Sequence, residues 1–303
     1  EYIYQFHALF RAFLQHQARE TYSAKKIREI TQRAGVLLEE AGHITYAADL
    51  YRAAQDWASA TRLIFASAEW ILGQGRSESL RHWIERLPSE QREASAWLQY
   101  WLGIAWSSAD FVKARKHLMH ALQLFESADS SAITGQDAAA QGDAVGQALC
   151  VAAIVRSHFF ESFAVESIQS WMPRFEALLT RVQSFASPAV ELTVYSSFQF
   201  GAIFTAPELP SLHQSALRLL ELMDAPEIDS NQKVSGALFN LWYFNLHGDF
   251  DLSRRLVRIV GQFIEAPEVS ELHRASWFSN VGWGLTQQLD RDGAVLCFER
   301  AEL

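Results

Sequence analysis

The sequence has little of what all-β, nucleic-acid-binding or membrane-spanning proteins need. Only 7 prolines and 15 glycines interrupt 303 residues, which disfavours the many tight turns of an all-β fold. Lys and Arg total 26 against 35 Asp and Glu, a net charge of −9, so we expect no nucleic acid to bind through this chain. No apolar run reaches the roughly 18–20 residues that cross a bilayer, and we expect no membrane contact.

Cysteine is also scarce. The two cysteines, Cys150 and Cys297, lie inside apolar helical patterns, which predicts buried thiols rather than a disulfide framework. A reducing compartment, the cytoplasm, follows as the expected location. With 49% hydrophobic and 20% charged residues, the chain has globular composition, enough for two or three compact domains or one elongated repeat array.

Apolar residues recur at i, i+3, i+4 and i+7 over segments of about 12–22 residues, which predicts an all-α protein. The spacing of small and bulky residues repeats between Gly282, Ala294 and Phe298 and again between Gly35, Ala47 and Tyr51. These offsets are those of tetratricopeptide repeats, in which small residues let two helices approach closely. We therefore expect a tetratricopeptide-like right-handed superhelix of antiparallel helix pairs. The alternative is a generic helical bundle in which the small residues are spaced by chance.

Three segments, in order, resemble the MalT-type family, the large ATP-binding transcription regulators of the LuxR type within the signal-transduction ATPases. Phe6–Leu14 (FHALFRAFL) is similar to the segment that closes the winged-helix part of the family's ATPase module. Ala53–Ile64 (AAQDWASATRLI) and Gly75–Pro88 (GRSESLRHWIERLP) are similar to two signatures of its helical repeats. The resemblance covers about residues 6–125.

This resemblance implies a longer protein, in which a nucleotide-switching module precedes a helical sensor region and a helix-turn-helix follows. We expect the chain to be a piece of such a protein, with ATP bound only by the module outside it. No phosphate-binding loop occurs in the sequence, so we expect no cofactor here. The predicted parts are 1–21, the tail of the winged-helix and ATPase module; 22–126, MalT-like repeats; 127–146, a loop or weakly ordered connection; and 147–303, further repeats, truncated at the C-terminus.

The sequence offers little for catalysis or metal binding. His117 and His120 lie three residues apart on one predicted helix, but no cysteine or carboxylate is placed near them at a typical ligand spacing. A solvated helix face is therefore the better interpretation. No nucleophile elbow occurs, and neither cysteine has a nearby histidine in sequence. We expect a chain that is not an enzyme and holds no metal.

The aromatic residues are more informative, because they concentrate on the predicted first helices of successive pairs. One helical stripe cannot bury all of them, so some must face a concave groove, where interleaved amides would favour uncharged polar ligands. The alternative is that these rings are interhelical packing. The candidate ligand-binding residues are Trp97, Trp101, Arg156, Tyr195, Gln199, Phe239, Asn240, Trp242, Tyr243, Asn280 and Trp283.

Two functions remain open from the sequence. The first is a sensor domain of a bacterial transcription regulator, which binds a small-molecule inducer on its concave face and acts by population shift. The second is a protein-interaction scaffold that binds an extended peptide or a partner helix. Self-association is a further expectation, because Phe6, Leu9, Phe10, Phe298 and Leu303 would leave apolar end faces uncovered.

Overall fold

In a computed structural model of the chain, residues 7–134, 143–162 and 164–302 are described, and every regular element among them is a helix. The all-α prediction is therefore confirmed. The helices are α1 (Ala8–Thr21), α2 (Ala24–Glu40), α3 (Ile44–Ala53), α4 (Trp57–Gly73), α5 (Ser77–Glu85), α6 (Ser89–Ala94), α7 (Ala96–Trp106), α8 (Phe111–Thr134), α9 (Ala144–Ser162), α10 (Val165–Arg181), α11 (Pro188–Thr205), α12 (Ser211–Leu222), α13 (Ser230–His247), α14 (Phe250–Val260), α15 (Glu271–Gln287) and α16 (Arg291–Ala301).

The chain divides into two compact units, Glu1–Asp110 and Phe111–Leu303. In the first, α2 packs on α3, α3 on α4, α4 on α5, and α5 on α7. The buried residues of α4 show why it forms a core helix: Ala60, Leu63, Ile64, Ala68 and Ile71 recur at intervals of three and four and make one apolar stripe.

A polar network ties three helices of the first unit together. The Tyr51 hydroxyl on α3 donates to Glu39 Oε2 on α2 at 2.6 Å, and the Arg62 guanidinium on α4 donates to both Glu39 oxygens at 2.6 Å. The Arg62 hydrogen bonds lower the pKa of Glu39, while burial raises the pKa of Tyr51 to about 12. Gly35 makes room for the ring, because a Cβ there would lie 2.9 Å from Tyr51 Cε1.

The second unit is built on a row of four helices, in which α9 packs on α11, α11 on α13, and α13 on α15. The intervening helices cover this row: α10 contacts α9 and α11, α12 contacts α11 and α13, α14 contacts α13, and α16 contacts α15. At Gly282, a Cβ would lie 2.8 Å from Phe298 Cε1, so the close approach of α15 and α16 expected from the repeat offsets is present.

The segment predicted as a loop or weak connection, 127–146, contains helix at both ends. Helix α8 continues to Thr134 and α9 begins at Ala144, whereas 135–142 lies outside the described residues. Side chains of Ala, Ser and Asp do not prevent helix continuation, which explains why the change in composition at Ser127 does not end α8. Of the expected apolar end faces, Leu9, Phe10 and Phe298 are 77%, 49% and 41% exposed, and Phe6 and Leu303 lie outside the described residues.

Candidate functional site

Rings from all four helices of the row in the second unit contact one another in succession. Phe159 on α9 lies 4.0 Å from Phe200 on α11, and Phe200 lies 4.2 Å from Phe239 on α13, measured between ring centroids. One turn further along, Phe204 meets Trp242 at 5.4 Å. We call this set the aromatic row; its members are Phe159, Phe200, Phe204, Phe239, Trp242 and Trp283.

The row ends in a stacked tryptophan pair. Trp242 on α13 and Trp283 on α15 have centroids 5.1 Å apart and an interplanar angle of 24°. The Trp242 indole Nε1 donates a hydrogen bond to Asn280 Oδ1, one turn before Trp283 on α15. All three side chains are half-buried, so each keeps part of its surface open to solvent. A ring face beside a carboxamide is suited to the apolar side of an uncharged polar ligand.

At the opposite end of the row, α9 adds a positive charge. The Arg156 guanidinium lies over the Phe160 ring, 5.6 Å from its centroid, and Phe160 is 55% exposed. Phe160 also stacks against Phe200 at 5.9 Å. The cation–π contact holds the guanidinium beside the row, where it can meet a carbonyl or carboxylate group of a ligand.

Gln199 and Asn240 do not face solvent, contrary to the expectation from the sequence. Both are fully buried, and Gln199 Nε2 donates to Asn240 Oδ1 at 2.8 Å. Asn240 Nδ2 donates in turn to the Ala216 carbonyl oxygen of α12 at 3.1 Å. The pair therefore links α11, α13 and α12 inside the core, because a buried amide needs a partner within the protein. The other end of the Gln199 amide, Oε1, is buried with no partner among the described residues.

The two tyrosines in the predicted site also lie apart from the aromatic row. Tyr243 is 4% exposed, and its hydroxyl lies 3.0 Å from His213 Nδ1 on α12. Burial raises its pKa, with a smaller effect from Asp249. Tyr195 lies near the middle of α11 and packs on Phe185, with ring centroids 5.7 Å apart. Neither ring contributes to the site that Trp242 and Phe239 form.

Trp97 and Trp101 belong to the first unit. Both lie on α7 and contact the buried Tyr100 ring between them, at centroid distances of 5.5 and 5.0 Å. Trp101 packs against the core formed by residues such as Leu98 and Leu102. Of the sequence-predicted residues, the structure brings together Phe239, Trp242, Asn280 and Trp283, with Arg156 beside Phe160 near the other end of the row.

Sequence reasoning missed Phe159 and Phe160. The sequence pattern that could have identified them is their spacing on α9. Arg156 precedes them by three and four residues, so all three side chains share one helix face. That face could have been recognised as the continuation of the rings at Phe200 and Phe204, since the aromatic segments fall on alternate helices.

Two other kinds of site, a metal centre and a membrane-spanning helix, are absent from the described part of the chain. No group of three or more His, Cys, Asp or Glu side chains is placed to hold a metal ion there. Within the same residues, no helix combines the length and apolar character that crossing a membrane requires.

Comparison with known proteins gives no further guide. No protein-family model matches this chain, and no curated protein matches it significantly. The geometry of the site is therefore the basis for its proposed function.

Proposed function

We propose that this chain is a ligand-sensing helical-repeat domain, without enzymatic activity, from a bacterial transcription regulator similar to the MalT type. The aromatic row carries the proposal: five of its six rings are partly open to solvent, and Asn280 adds a carboxamide at one end. The three MalT-like segments in the first unit supply the regulator context, and the cytoplasm is then the location.

The chemistry of the aromatic row favours binding over reaction. Indole and phenyl rings and carboxamides neither give nor take protons near neutral pH, whereas they offer stacking faces and hydrogen bonds. The best ligand is therefore uncharged and polar, with flat apolar faces, such as a sugar ring or a peptide group. Because the rings span four adjacent helices at an axial spacing of about 8–10 Å, the row extends over roughly 24–30 Å. That length suits an elongated ligand.

A ligand bound along the row would act by population shift. It would contact α9, α11, α13 and α15 at once, so it would favour whichever relative arrangement of these helices makes the most contacts. In the tetratricopeptide-like superhelix that we propose, the row would line the concave face, and small rotations between neighbouring repeats would add up along the array. A module with bound ATP, as in the MalT-type family, would respond to that change.

Isothermal titration calorimetry with neutral linear oligosaccharides tests the proposal. We expect binding that weakens at least about tenfold in Trp242→Ala, because the variant removes both the stacked pair and the hydrogen bond to Asn280. The matched control is Trp171→Ala, which removes a half-buried tryptophan from α10 and should leave the affinity unchanged. Equal affinity in the two variants would refute the role of the aromatic row.

A peptide-binding scaffold is the second candidate, and the end of the row at α9 favours it. Phe160 is largely exposed and carries the Arg156 guanidinium over its ring, a combination suited to an apolar side chain next to a carbonyl or carboxylate. Short peptides replace the oligosaccharides in the same titration. If only peptides bind, and Arg156→Gln weakens them, the scaffold is the better description.

We also propose self-association through the exposed end faces at Leu9, Phe10 and Phe298. Light scattering at increasing concentration checks this, and Leu9→Ser, which removes an exposed apolar side chain, should weaken the association. Association of equal strength in this variant would place the contact elsewhere.

A further inference from the structure

A second candidate site lies away from the aromatic row, in the second unit. A cavity of about 390 Å³ opens between α13, α14, α15 and α16. Leu241, Val257, Val281 and Leu285 supply apolar walls from three of these helices. Small-molecule sites in proteins span roughly 300–1,000 Å³ and are mainly apolar with a few polar groups, so the cavity has the size and character of such a site.

The cavity wall contains a hydrogen-bond donor without a partner. Asn245 on α13 is 3% exposed, and its Oδ1 accepts a hydrogen bond from Ser253 Oγ at 2.8 Å. Its Nδ2 is buried and has no partner among the described residues. An unpaired buried amide nitrogen destabilises the fold, and a ligand acceptor would remove that penalty.

Gly284 on α15 leaves the space that this amide occupies. A Cβ at Gly284 would lie 2.4 Å from Asn245 Nδ2, so any other residue would push the amide away. Both residues line the cavity, and the absent side chain leaves the donor side of Asn245 against bare backbone.

The charged residues lining the cavity are both arginines. Arg254 and Arg258, on α14, are exposed, which places them on the solvent side of the cavity. Arg254 Nη1 donates to Gln288 Oε1 at 2.7 Å, and its Nη2 donates to Asp251 Oδ1 at 2.6 Å. Among the described residues that line the cavity there is no carboxylate. Asp251 partly balances the charge of Arg254, and Arg258 adds a second positive charge, so the mouth favours an anionic ligand group over a cationic one.

We propose that this cavity binds a small carboxylate with a hydrocarbon body. The hydrocarbon would lie against Leu241, Val257 and Val281, and a carboxylate oxygen would accept the free hydrogen bond of Asn245. The guanidiniums of Arg254 and Arg258 would stabilise the charge. A cavity of about 150 Å³ holds benzene, so this one has room for a chain of medium length. The inference is independent of the aromatic row, whose residues it does not use.

Octanoate is the probe, and octan-1-ol is the uncharged comparison of equal chain length. We expect calorimetry to show octanoate binding about tenfold tighter than the alcohol. Side-chain amide signals in a ¹⁵N-correlated NMR spectrum should shift at Asn245, which is assigned from the signal lost in Asn245→Leu. Octanoate should also slow the reaction of iodoacetamide with Cys297, which lines the cavity.

Three variants and one control complete the test. Val257→Phe fills the cavity from a half-buried position and should abolish binding while the chain stays folded. Asn245→Leu and Arg258→Gln should each weaken octanoate binding about tenfold. Arg255→Gln removes an equal charge from α14 outside the cavity and should change nothing.

Several outcomes overturn the proposal. They are no octanoate binding to the unmodified chain, undiminished binding in Val257→Phe, or octan-1-ol binding as tightly as octanoate. An effect of Arg255→Gln equal to that of Arg258→Gln would show that the charge acts from a distance and that the cavity does not recognise it.

Discussion

The buried amide pair of the second unit permits a sharp prediction, because its two members are not equivalent. Among the described residues, Gln199 makes one hydrogen bond, from Nε2 to Asn240 Oδ1, and its own Oε1 has no partner. Asn240 makes two, since Nδ2 also donates to the Ala216 carbonyl. Replacing Gln199 with an apolar residue of similar shape should therefore change the free energy of unfolding by a different amount than the same kind of replacement at Asn240.

The magnitudes follow from counting unpaired buried groups, each worth about 1–3 kcal/mol. Gln199→Met leaves Asn240 Oδ1 unpaired but removes the unpaired Oε1, so the two effects nearly cancel. Asn240→Leu leaves both ends of Gln199 unpaired and loses the bond to Ala216, for a destabilisation of about 2–4 kcal/mol. The double variant has no unpaired amide left and should be close to the unmodified chain.

Urea unfolding, followed by circular dichroism and by fluorescence, measures all four members of this cycle. The expected coupling between the two positions is about 2–4 kcal/mol, in the direction that makes the double variant more stable than Asn240→Leu alone. If the two single variants lose equal stability, or the double variant loses the sum of both, the pair does not act as the hydrogen bonds indicate.

Three other substitutions or conditions test separate features. Arg62 lowers the pKa of Glu39 in the folded chain. The ionised Glu39 therefore stabilises the fold above its unfolded pKa of about 4.3, and this stabilisation is lost as the pH falls through the lower folded pKa. The difference in unfolding free energy between the unmodified chain and Glu39→Gln should accordingly shrink on acidification. Gly248 ends α13 with a φ of 75°, so Gly248→Ala should destabilise by about 1 kcal/mol in urea, even though a Cβ there has free space. Burial raises the pKa of Cys150 and leaves it inaccessible, so mass spectrometry after iodoacetamide treatment should find Cys297 modified first; prior modification of Cys150 would contradict its burial.

Much of the fold could be predicted from the sequence, because the helices carry strong signals. The three- and four-residue spacing of apolar residues identifies α4, and the spacing of Gly35 to Tyr51 and of Gly282 to Phe298 identifies pairs of helices in close contact. The end of α8 could not be predicted, since a helix stabilised by packing earlier along its length continues through residues of neutral propensity.

The candidate site was harder to predict than the fold, because the helices that carry the aromatic row pack against other helices on several sides. Helix α11 contacts α9, α10, α12 and α13, so it is buried around most of its circumference and shows no single apolar stripe. On such a helix an amide next to aromatic residues can lie in the core as easily as in a groove. Gln199 lies between two buried rings, Phe198 and Phe200, and is itself fully buried.

Successive residues of helix α13 face three different environments. Phe239 and Trp242 face the aromatic row, Asn240 and Phe244 lie in the core, and Asn245 reaches the cavity beside Gly284. Because adjacent helical residues point about 100° apart, neighbours in sequence serve different functions while residues three or four apart share one. The polar residues of this helix must therefore be interpreted one at a time. Asn240 bonds to neighbouring helices through both ends of its amide and holds the core together, whereas Asn245 bonds, among the described residues, through its oxygen only and keeps its nitrogen for the ligand that we propose.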